Sequence, residues 1–277
     1  MLFGDYPVVI RGGGDLATGV AYRLHQAGFP IMVLELPQPL VVRRRVALAT
    51  AVLEGEITVE GLQARLVTTP DEAIRLAHTG LVPVLVSPAL PAWPASIPVL
   101  VDARMAKRNI DTRQDQASLV VALGPGFTAG FDCHAVIETM RGHRLGRVIW
   151  QGGAQPNTGT PGLVAGKGAE RVLRAPADGI AEWRVDIGDK VEAGTLMGHV
   201  GGMPVRAPFD GVVRGLVAPG TAVRAGLKIG DVDARGDVSA CFTISDKALA
   251  IGGGVLEAVL AYLNGRPSTI NPSSTNP

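Results

Sequence analysis

Glycines that directly follow an apolar segment are the first feature with chemical meaning. The stretch VVIRGGGDLATGV, residues 8–20, contains the spacing Gly12-x-Gly14-x-x-Ala17 between a short apolar run and a helix-like pattern. In dinucleotide-binding proteins this strand, turn and helix present backbone N–H groups to a phosphate. We therefore expect either a phosphate site that includes Gly12, Gly13 and Gly14 or a tight turn with a purely structural role.

Two acidic residues bear on that choice. Glu35 ends the second apolar segment, about 20 residues after the turn, where dinucleotide-binding proteins place an acid that accepts a hydrogen bond from a ribose hydroxyl. The alternative is an ordinary acid at a strand end. Asp15 argues against a phosphate, because at the expected N-cap its carboxylate would occupy the free N–H groups of the helix.

A second glycine loop lies in LVVALGPGFTAGFDCHAVIETMRGH, residues 119–143, where Gly124, Gly126 and Gly130 surround Thr128. Its strand and loop suggest another anion cradle. Because ligands in α/β sheets bind beyond the carboxyl ends of strands, we expect both loops to share one cleft. Two separate tight turns are the alternative.

The segment after this loop is predicted to be a helix capped by Asp132, with His134 and Glu138 one turn apart on one face. Cys133 and His143 lie nearby in the sequence. Their spacing matches no standard zinc pattern, so we expect no metal site.

Basic residues could supply counter-charges to an anion. Arg43, Arg44 and Arg45 are consecutive, and they form either a solvated surface or bidentate clamps over the first glycine turn. Arg104 and Lys107 follow a predicted strand end and are further candidates. No nucleophile paired with a base is recognisable, so no catalytic residue is assigned.

Composition limits the possible classes of protein. The 277 residues carry a net charge of +1 and are 4% aromatic, which gives no indication of a nucleic-acid partner. The start of the chain lacks a secretory pattern and no apolar run is long enough to cross a bilayer, so we expect a cytoplasmic protein without a membrane partner. Strands that alternate with helices predict a Rossmann-like, mostly parallel sheet over residues 1–165.

An internal duplication follows this region. APADG at 175–179 recurs as APFDG at 207–211, an offset of 32 residues. Each half contains short strands between Gly and Pro turns, and the pair resembles the barrel-sandwich hybrid of biotinyl and lipoyl domains. The hairpin between the halves, HVGGMPVRAP, has no lysine, so we expect neither biotin nor lipoate. We assign this unit to residues 172–235, with four valines facing inward at matching positions: Val191, Val200, Val223 and Val232.

A strand and an amphipathic helix over 240–264 are expected to return to the α/β region, followed by a mobile tail over 265–277. The loop NTGTPG, residues 157–162, is either a linker or a segment that closes over a site.

Several segments together resemble the YqeB-like family, which is named for selenium-dependent molybdenum hydroxylase systems. They include RGGGDLATG, RMAKRN, LGPGFTAG, VIETMRGH, NTGTPG, KIGDVDAR and ISDKALAIGGGVLEA, and they span about residues 7–264. The resemblance implies an accessory protein in enzyme maturation, with a molybdenum hydroxylase or its maturation proteins as partners. It implies no catalytic residues.

Three functions remain open at this stage. The first is a maturation factor that binds a nucleotide or the phosphate-bearing molybdenum cofactor. The second is an NAD(P)-dependent oxidoreductase, with Glu35 on the ribose. The third is a non-enzymatic scaffold whose barrel docks a partner enzyme.

Overall fold

A computed structural model describes residues 1–93, 96–157, 159 and 166–265. Within these residues, nine strands form one large sheet in the order β3-β4-β5-β2-β1-β6-β7-β8-β9. In chain order the strands are β1 (Val8–Arg11), β2 (Ile31–Glu35), β3 (Glu56–Val59), β4 (Leu62–Val67), β5 (Val82–Val86), β6 (Val99–Asp102), β7 (Leu119–Leu123), β8 (Ala135–Ile137) and β9 (Val148–Ile149).

The sheet is parallel in its interior and antiparallel at both edges. The β3–β4 and β8–β9 pairs are antiparallel, and the pairs between them are parallel. Both faces of the interior strands are buried, since Val8 and Ile10 pack into one apolar cluster and Val9 packs into another on the opposite face. The parallel strands therefore direct their carboxyl ends to one edge, where loops can form a site.

Helices cover both faces of this sheet. The α-helices are α1 (Asp15–Gln26), α2 (Thr50–Glu54), α3 (Pro70–Ala77) and α4 (Asp246–Leu263). Short 3-10 helices lie at Arg44–Val46, Gln114–Gln116, Ala169–Arg171 and Ser239–Cys241. No helix in these described ranges is both long and apolar enough to cross a membrane.

Helix α4 packs closely against α1, although more than 200 residues separate them in the chain. A Cβ atom at Gly19 would overlap the carbonyl oxygen of Ala248, and one at Gly252 would overlap the carbonyl oxygen of Gly19. Glycine at both positions lets the two backbones touch. The C-terminal helix is thereby part of the α/β core, together with Ile251 and Val255.

Two four-stranded antiparallel sheets form a second unit with its own apolar core. Its strands are β10 (Val172–Arg174), β11 (Gly179–Trp183), β12 (Lys190–Val191), β13 (Leu196–Val200), β14 (Met203–Arg206), β15 (Gly211–Leu216), β16 (Ala222–Val223) and β17 (Lys228–Asp233). We call this the two-sheet unit. One sheet has the order β10-β17-β15-β12 and the other has the order β14-β13-β11-β16.

The 32-residue offset relates the two sheets strand by strand. Strands 32 residues apart correspond in four pairs: β10 with β14, β11 with β15, β12 with β16, and β13 with β17. When each strand is replaced by its counterpart, the strand order of one sheet becomes that of the other. Loop hydrogen bonds repeat as well, because Ala193 N–H donates to Asp210 and Ala225 N–H donates to Asp178, both at 2.7 Å. Each sheet therefore contains strands from both halves, and neither half completes a sheet alone.

The four valines at matching positions of the duplication are all buried in one core. Val191 and Val223 are 6% and 5% exposed, and Val200 and Val232 are fully buried. This confirms the inward orientation that the offset predicts.

The fold class is confirmed at the level of a mixed α/β protein with a large, mostly parallel sheet and additional antiparallel sheets. The boundaries assigned from the sequence remain predictions. The tail predicted over 265–277 lies outside the described residues except for Gly265, and so does most of the 157–162 loop.

Candidate functional site

A cavity of about 760 Å³ opens at the carboxyl edge of the large sheet. It lies between the ends of β1, β2 and β6, the start of α1, the start of α4, and strands β15 and β17 of the two-sheet unit. Among the described residues that line it, the cations outnumber the acids. The cations are Arg11, Arg43, Arg104, Arg141, Arg214, Lys228 and Lys247, and the acids are Asp15, Glu35, Asp111 and Asp231. A volume of this size is typical of small-molecule sites, and the surplus of positive charge favours an anion.

The three glycines of the first turn serve two different purposes. Gly12 has φ +88°, and a Cβ there would lie 3.0 Å from the Cα of Arg104. A Cβ at Gly13 would lie 2.8 Å from the backbone nitrogen of Ala49. Among the described residues, a Cβ at Gly14 would meet nothing within 4 Å, and Gly14 lines the cavity. Close packing thus excludes side chains at the first two glycines, whereas the third leaves space for a ligand.

Gly14, not Asp15, is the N-cap of α1, and none of the described side chains caps the helix there. The expectation that Asp15 takes up the free N–H groups is wrong, because Asp15 is the first helical residue and its carboxylate lies 3.5 Å from Arg43 Nη1. Ala17, one turn further, is buried and contributes to the cavity wall. The N-terminus of α1 therefore presents N–H groups and the positive end of its dipole to the cavity.

Glu35 lies at the end of β2 and is hydrogen-bonded to the glycine turn. Its Oε2 accepts a hydrogen bond from Gly13 N–H at 2.7 Å, and its Oε1 accepts one from Leu36 N–H at 2.7 Å. Each carboxylate oxygen keeps a further lone pair, and the residue lines the cavity. The side chain can therefore accept from a ligand hydroxyl while it holds the turn in place.

The three consecutive arginines have different partners. Arg43 lines the cavity and also donates to the carbonyl oxygen of Ala240 at 2.9 Å. Arg44 is buried and donates to the carbonyl oxygen of Leu216, and both Arg44 and Arg45 bind the carboxylate of Asp186. Arg44 is therefore not among the cavity residues. It joins the α/β region to the two-sheet unit.

A chain of alternating charges forms the wall of the cavity beside β1 and β6. Buried Arg11 contacts Asp111 at 2.8 Å, Asp111 contacts Arg104 at 2.8 Å, and Arg104 contacts buried Asp102 at 2.6 Å. Hydrogen bonding from Arg11 lowers the pKa of Asp111. Arg104 also donates to Thr112. Arg104 thus lines the cavity as expected, but two carboxylates already balance its charge.

The second glycine loop contributes no residue to the cavity lining. A Cβ at Gly124 would lie 2.5 Å from Thr139 Oγ1, and one at Gly126 would lie 2.5 Å from the backbone of Arg108. Thr128 N–H is already bonded to a carboxylate oxygen of Asp132 at 2.7 Å. This loop is closed by its neighbours. Its remaining glycine, Gly130, donates its N–H to the carbonyl of Cys133.

Lys107 is also outside the cavity lining and is exposed. The two glycine loops do lie at the same edge of the sheet, because β1, β6 and β7 are consecutive parallel neighbours. The segment that follows β6 lies between them, so only the first of the two glycine loops borders the cavity.

The prediction of a helix after the second glycine loop is wrong. Residues Ala135–Ile137 form β8, which pairs in parallel with β7. Asp132 stabilises the loop instead of capping a helix, and His134 Nδ1 accepts a hydrogen bond from Val120 N–H at 2.9 Å. Burial lowers the pKa of His134. The carboxylate of Glu138 accepts from two backbone N–H groups.

Sequence reasoning missed most of the cations on the opposite wall of the cavity. Arg141, Arg214, Lys228 and Lys247 come from segments that are distant in the chain. Two of them, Arg214 and Lys228, occupy positions where the 32-residue duplication is not conserved between its halves. That asymmetry is a signal already present in the sequence.

These features define a class: an α/β protein with an appended, internally duplicated β unit, and with a cationic cavity between the two. No family model matches the chain. The chain is 52% identical over 262 residues to "Uncharacterized protein YqeB" of Escherichia coli (strain K12). The matched region covers 94% of this chain and 48% of that protein. The chain belongs to the YqeB-like family, and it spans about half the length of this curated relative.

Solved structures offer only distant likenesses. An aspartoacylase family protein from Mesorhizobium loti matches 76% of this chain and 58% of its own, at 14% identity and a TM-score of 0.22. The ectoine utilization protein EutE from Ruegeria pomeroyi matches 81% and 56%, at 11% identity and a TM-score of 0.23. TM-scores this low assign neither a fold nor an activity to the chain.

Proposed function

We propose that the chain binds a phosphate-bearing ligand in the cationic cavity and serves as a maturation factor for a molybdenum hydroxylase. The ligand would be a nucleotide or the phosphate-bearing molybdenum cofactor. The observation that carries the binding proposal is the uncapped N-terminus of α1, which opens into the cavity at Gly14. The maturation role rests on the family resemblance.

The donor set of the cavity suits a phosphate. Arg43 is almost entirely buried, and its Nε has no hydrogen-bond partner among the described residues. Nη1 of Arg11 is in the same situation. A buried donor without a partner costs free energy, and a phosphate oxygen would relieve that cost. A bound phosphate would be held by the first-turn N–H groups of α1 and by Arg43, with Glu35 accepting from a hydroxyl of the ligand.

A dinucleotide is the second candidate, which would make the chain an NAD(P)-dependent oxidoreductase. It is favoured by Glu35, because this carboxylate ends β2 and contacts the glycine turn, as the ribose-binding acid of dinucleotide-binding proteins does. A bound nicotinamide would supply hydride chemistry. The residues described here would bind and orient it.

We further propose that the two-sheet unit is a barrel-sandwich hybrid in a static role. Its duplicated strands support the architecture, and its β13–β14 hairpin, Gly201-Gly202-Met203-Pro204, offers no lysine for biotin or lipoate. The unit would instead cover the cavity or dock the partner enzyme, which is the scaffold alternative.

Native mass spectrometry of the full chain, isolated from its own host, tests the binding proposal directly. We expect a bound mass that matches a nucleotide or a pterin phosphate. Calorimetry with ADP should then show binding that Gly14→Val removes, because the new side chain would occupy the phosphate position.

Gly253→Val is the matched control, since a Cβ at Gly253 also meets nothing within 4 Å and Gly253 is outside the cavity lining. It should bind ADP as the wild type does. Equal affinity in Gly14→Val would exclude this site. Absence of both a bound mass and ADP binding would overturn the proposal.

A further inference from the structure

The two halves of the two-sheet unit differ at the positions that face the cavity. Arg214 of β15 corresponds by the 32-residue offset to Glu182 of β11, which is exposed. Lys228 of β17 corresponds to Leu196 of β13. If the fold of the unit required these cations, both halves would be expected to carry them. Their presence only on the cavity side indicates a role toward the cavity.

Arg214 is about nine-tenths buried and pairs with Asp233 only at a distance too long for a hydrogen bond. It is 9% exposed, and its Nε lies 3.7 Å from Asp233 with no hydrogen-bond partner among the described residues. Asp233 is already engaged by Arg235 at 2.6 Å. Burial lowers the pKa of Arg214, because water no longer solvates its charge fully.

Lys228 is half-buried and also lacks a hydrogen-bonded acidic partner among the described residues. Its Nζ lies 4.0 Å from Asp231, whereas Arg171 binds both oxygens of that carboxylate at 2.6 and 2.7 Å. The arginine therefore satisfies the acid, and the ammonium of Lys228 keeps donors for another partner.

A third cation that lines the cavity belongs to α4. Lys247 is in the first turn of this helix, where the helix dipole repels a positive charge. Burial lowers the pKa of Lys247, and the neighbouring Arg141 acts in the same direction. Asp15 opposes this effect at Lys247 and also at Lys228, so one carboxylate at the start of α1 faces both lysines. Asp15 is thus shared by the two lysines and by Arg43, which it contacts at 3.5 Å, so the cations outnumber this acid.

We propose that Arg214, Lys228 and Lys247 form a second anion subsite, which takes a phosphate or carboxylate group of the ligand whose first phosphate binds at Gly14. This inference extends the proposed function and specifies its ligand as a molecule with two separate anionic groups. Such a ligand would contact the α/β region and the two-sheet unit at once, and would hold the two together.

Inorganic phosphate titrated into the full chain tests each subsite separately. With nitrogen-15 labelling, nuclear magnetic resonance reports on the backbone amides of Gly14 to Ala17 and on the Nε–Hε group of Arg214. We expect both sets of signals to shift with phosphate. Lys228→Gln and Lys247→Gln should each weaken the phosphate response of Arg214 about tenfold and leave the response of the turn amides intact.

Lys190→Gln is the control, because Lys190 is an exposed cation of the same unit and is outside the cavity lining. It should change neither response. The inference fails if phosphate shifts the turn amides alone, or if Lys190→Gln weakens the Arg214 response as much as Lys228→Gln does. A response at Arg214 without one at the turn would support the subsite and overturn the proposed phosphate site at Gly14.

Discussion

The two glycine loops at the carboxyl edge of the sheet resemble each other in sequence and differ in what they do. The first follows β1 and leads into α1, and its last glycine borders an open cavity. The second follows β7 and leads into β8, and two of its glycines, Gly124 and Gly126, pack against Thr139 and Arg108. The first loop is open to the cavity, whereas the second is packed against neighbouring residues.

The element that follows each loop accounts for this difference. A helix begins with N–H groups that lack partners and with the positive end of a dipole, so an open loop before it can receive an anion. A parallel strand has neither property, because its N–H groups are paired in the sheet. Glycine at position 14 leaves the cavity open, whereas glycine at position 126 lets the backbone of Arg108 approach.

The largest effect should come from Gly126→Ala in the closed loop. Gly126 has φ +105°, and a Cβ would lie 2.5 Å from the backbone of Arg108, so the variant combines strain with a clash that no side-chain rotation relieves. We expect it to lose at least about 3 kcal/mol of unfolding free energy in urea titrations. Gly14→Ala is the matched control and should lose at most about 1 kcal/mol. Similar losses in the two variants would mean that the loops do not differ as described.

Gly14→Asp should separate binding from stability in the open loop. An aspartate at the N-cap accepts hydrogen bonds from the free N–H groups of α1, so the folded state should be at least as stable as the wild type. The same carboxylate repels a phosphate, and ADP affinity should fall about 100-fold, equivalent to about 2.7 kcal/mol. Calorimetry and urea unfolding measure the two effects. Retention of ADP binding would show that the ligand does not use the start of α1.

A smaller effect concerns the choice of nucleotide at the open loop. If the ligand is a dinucleotide, NAD should bind about tenfold more tightly than NADP, because the Glu35 carboxylate accepts from the ribose hydroxyl and repels a 2′-phosphate. Glu35→Gln should reduce this preference while keeping an acceptor for the Gly13 N–H group. Competition titrations with the two nucleotides measure the ratio, and tighter binding of NADP to the wild type would contradict the assignment.

A further effect, confined to alkaline pH, should appear in the closed loop. Cys133 is fully buried, and burial raises the pKa of its thiol to about 12 from the usual 9.0. Between these values the unfolded chain loses a proton that the folded chain keeps. This thiol therefore contributes stability below pH 9 that is lost as the pH rises toward 12, by at most about 1.4 kcal/mol per pH unit.

Comparison of the wild type with Cys133→Ala isolates this contribution from that of lysines and tyrosines. The unfolding free energy of the wild type should fall more steeply from pH 8 to pH 10.5 than that of the variant. Parallel pH profiles would mean that the loop admits water to the thiol and is more open than its contacts indicate.

The large sheet and the duplicated unit were predictable because their signals are local or periodic. Short apolar runs bounded by Gly and Pro marked β1 and β2, and the 32-residue offset predicted which strands of the two-sheet unit correspond. The segment after the closed loop is predicted as a helix but forms strand β8. The apolar residues around Val136 fit a helical period as well as they fit a short buried strand. Pairing with β7, which is a tertiary interaction, decides that segment.

The candidate site was predictable on one wall only. Gly12, Gly14 and Glu35 belong to a single strand–turn–helix–strand motif, so their spacing identifies them. Arg214 and Lys247 line the cavity because the two-sheet unit and α4 pack against the α/β region. Local sequence patterns do not predict how these distant elements pack together. The sequence does not fix the first residue of α1, and a shift of one residue moves the carboxylate of Asp15 from the helix N–H groups to Arg43.

The contact between Gly19 and Gly252 has a consequence for how the chain is made. Helix α1 is complete after residue 26, but its partner α4 ends at residue 263. At synthesis rates of about 5–20 residues per second, the ribosome needs about 10–50 s to deliver that partner. During this interval the surface of α1 that α4 will cover is exposed on the nascent chain, available to chaperones and at risk of aggregation. The α/β core therefore completes only after translation has passed through the two-sheet unit.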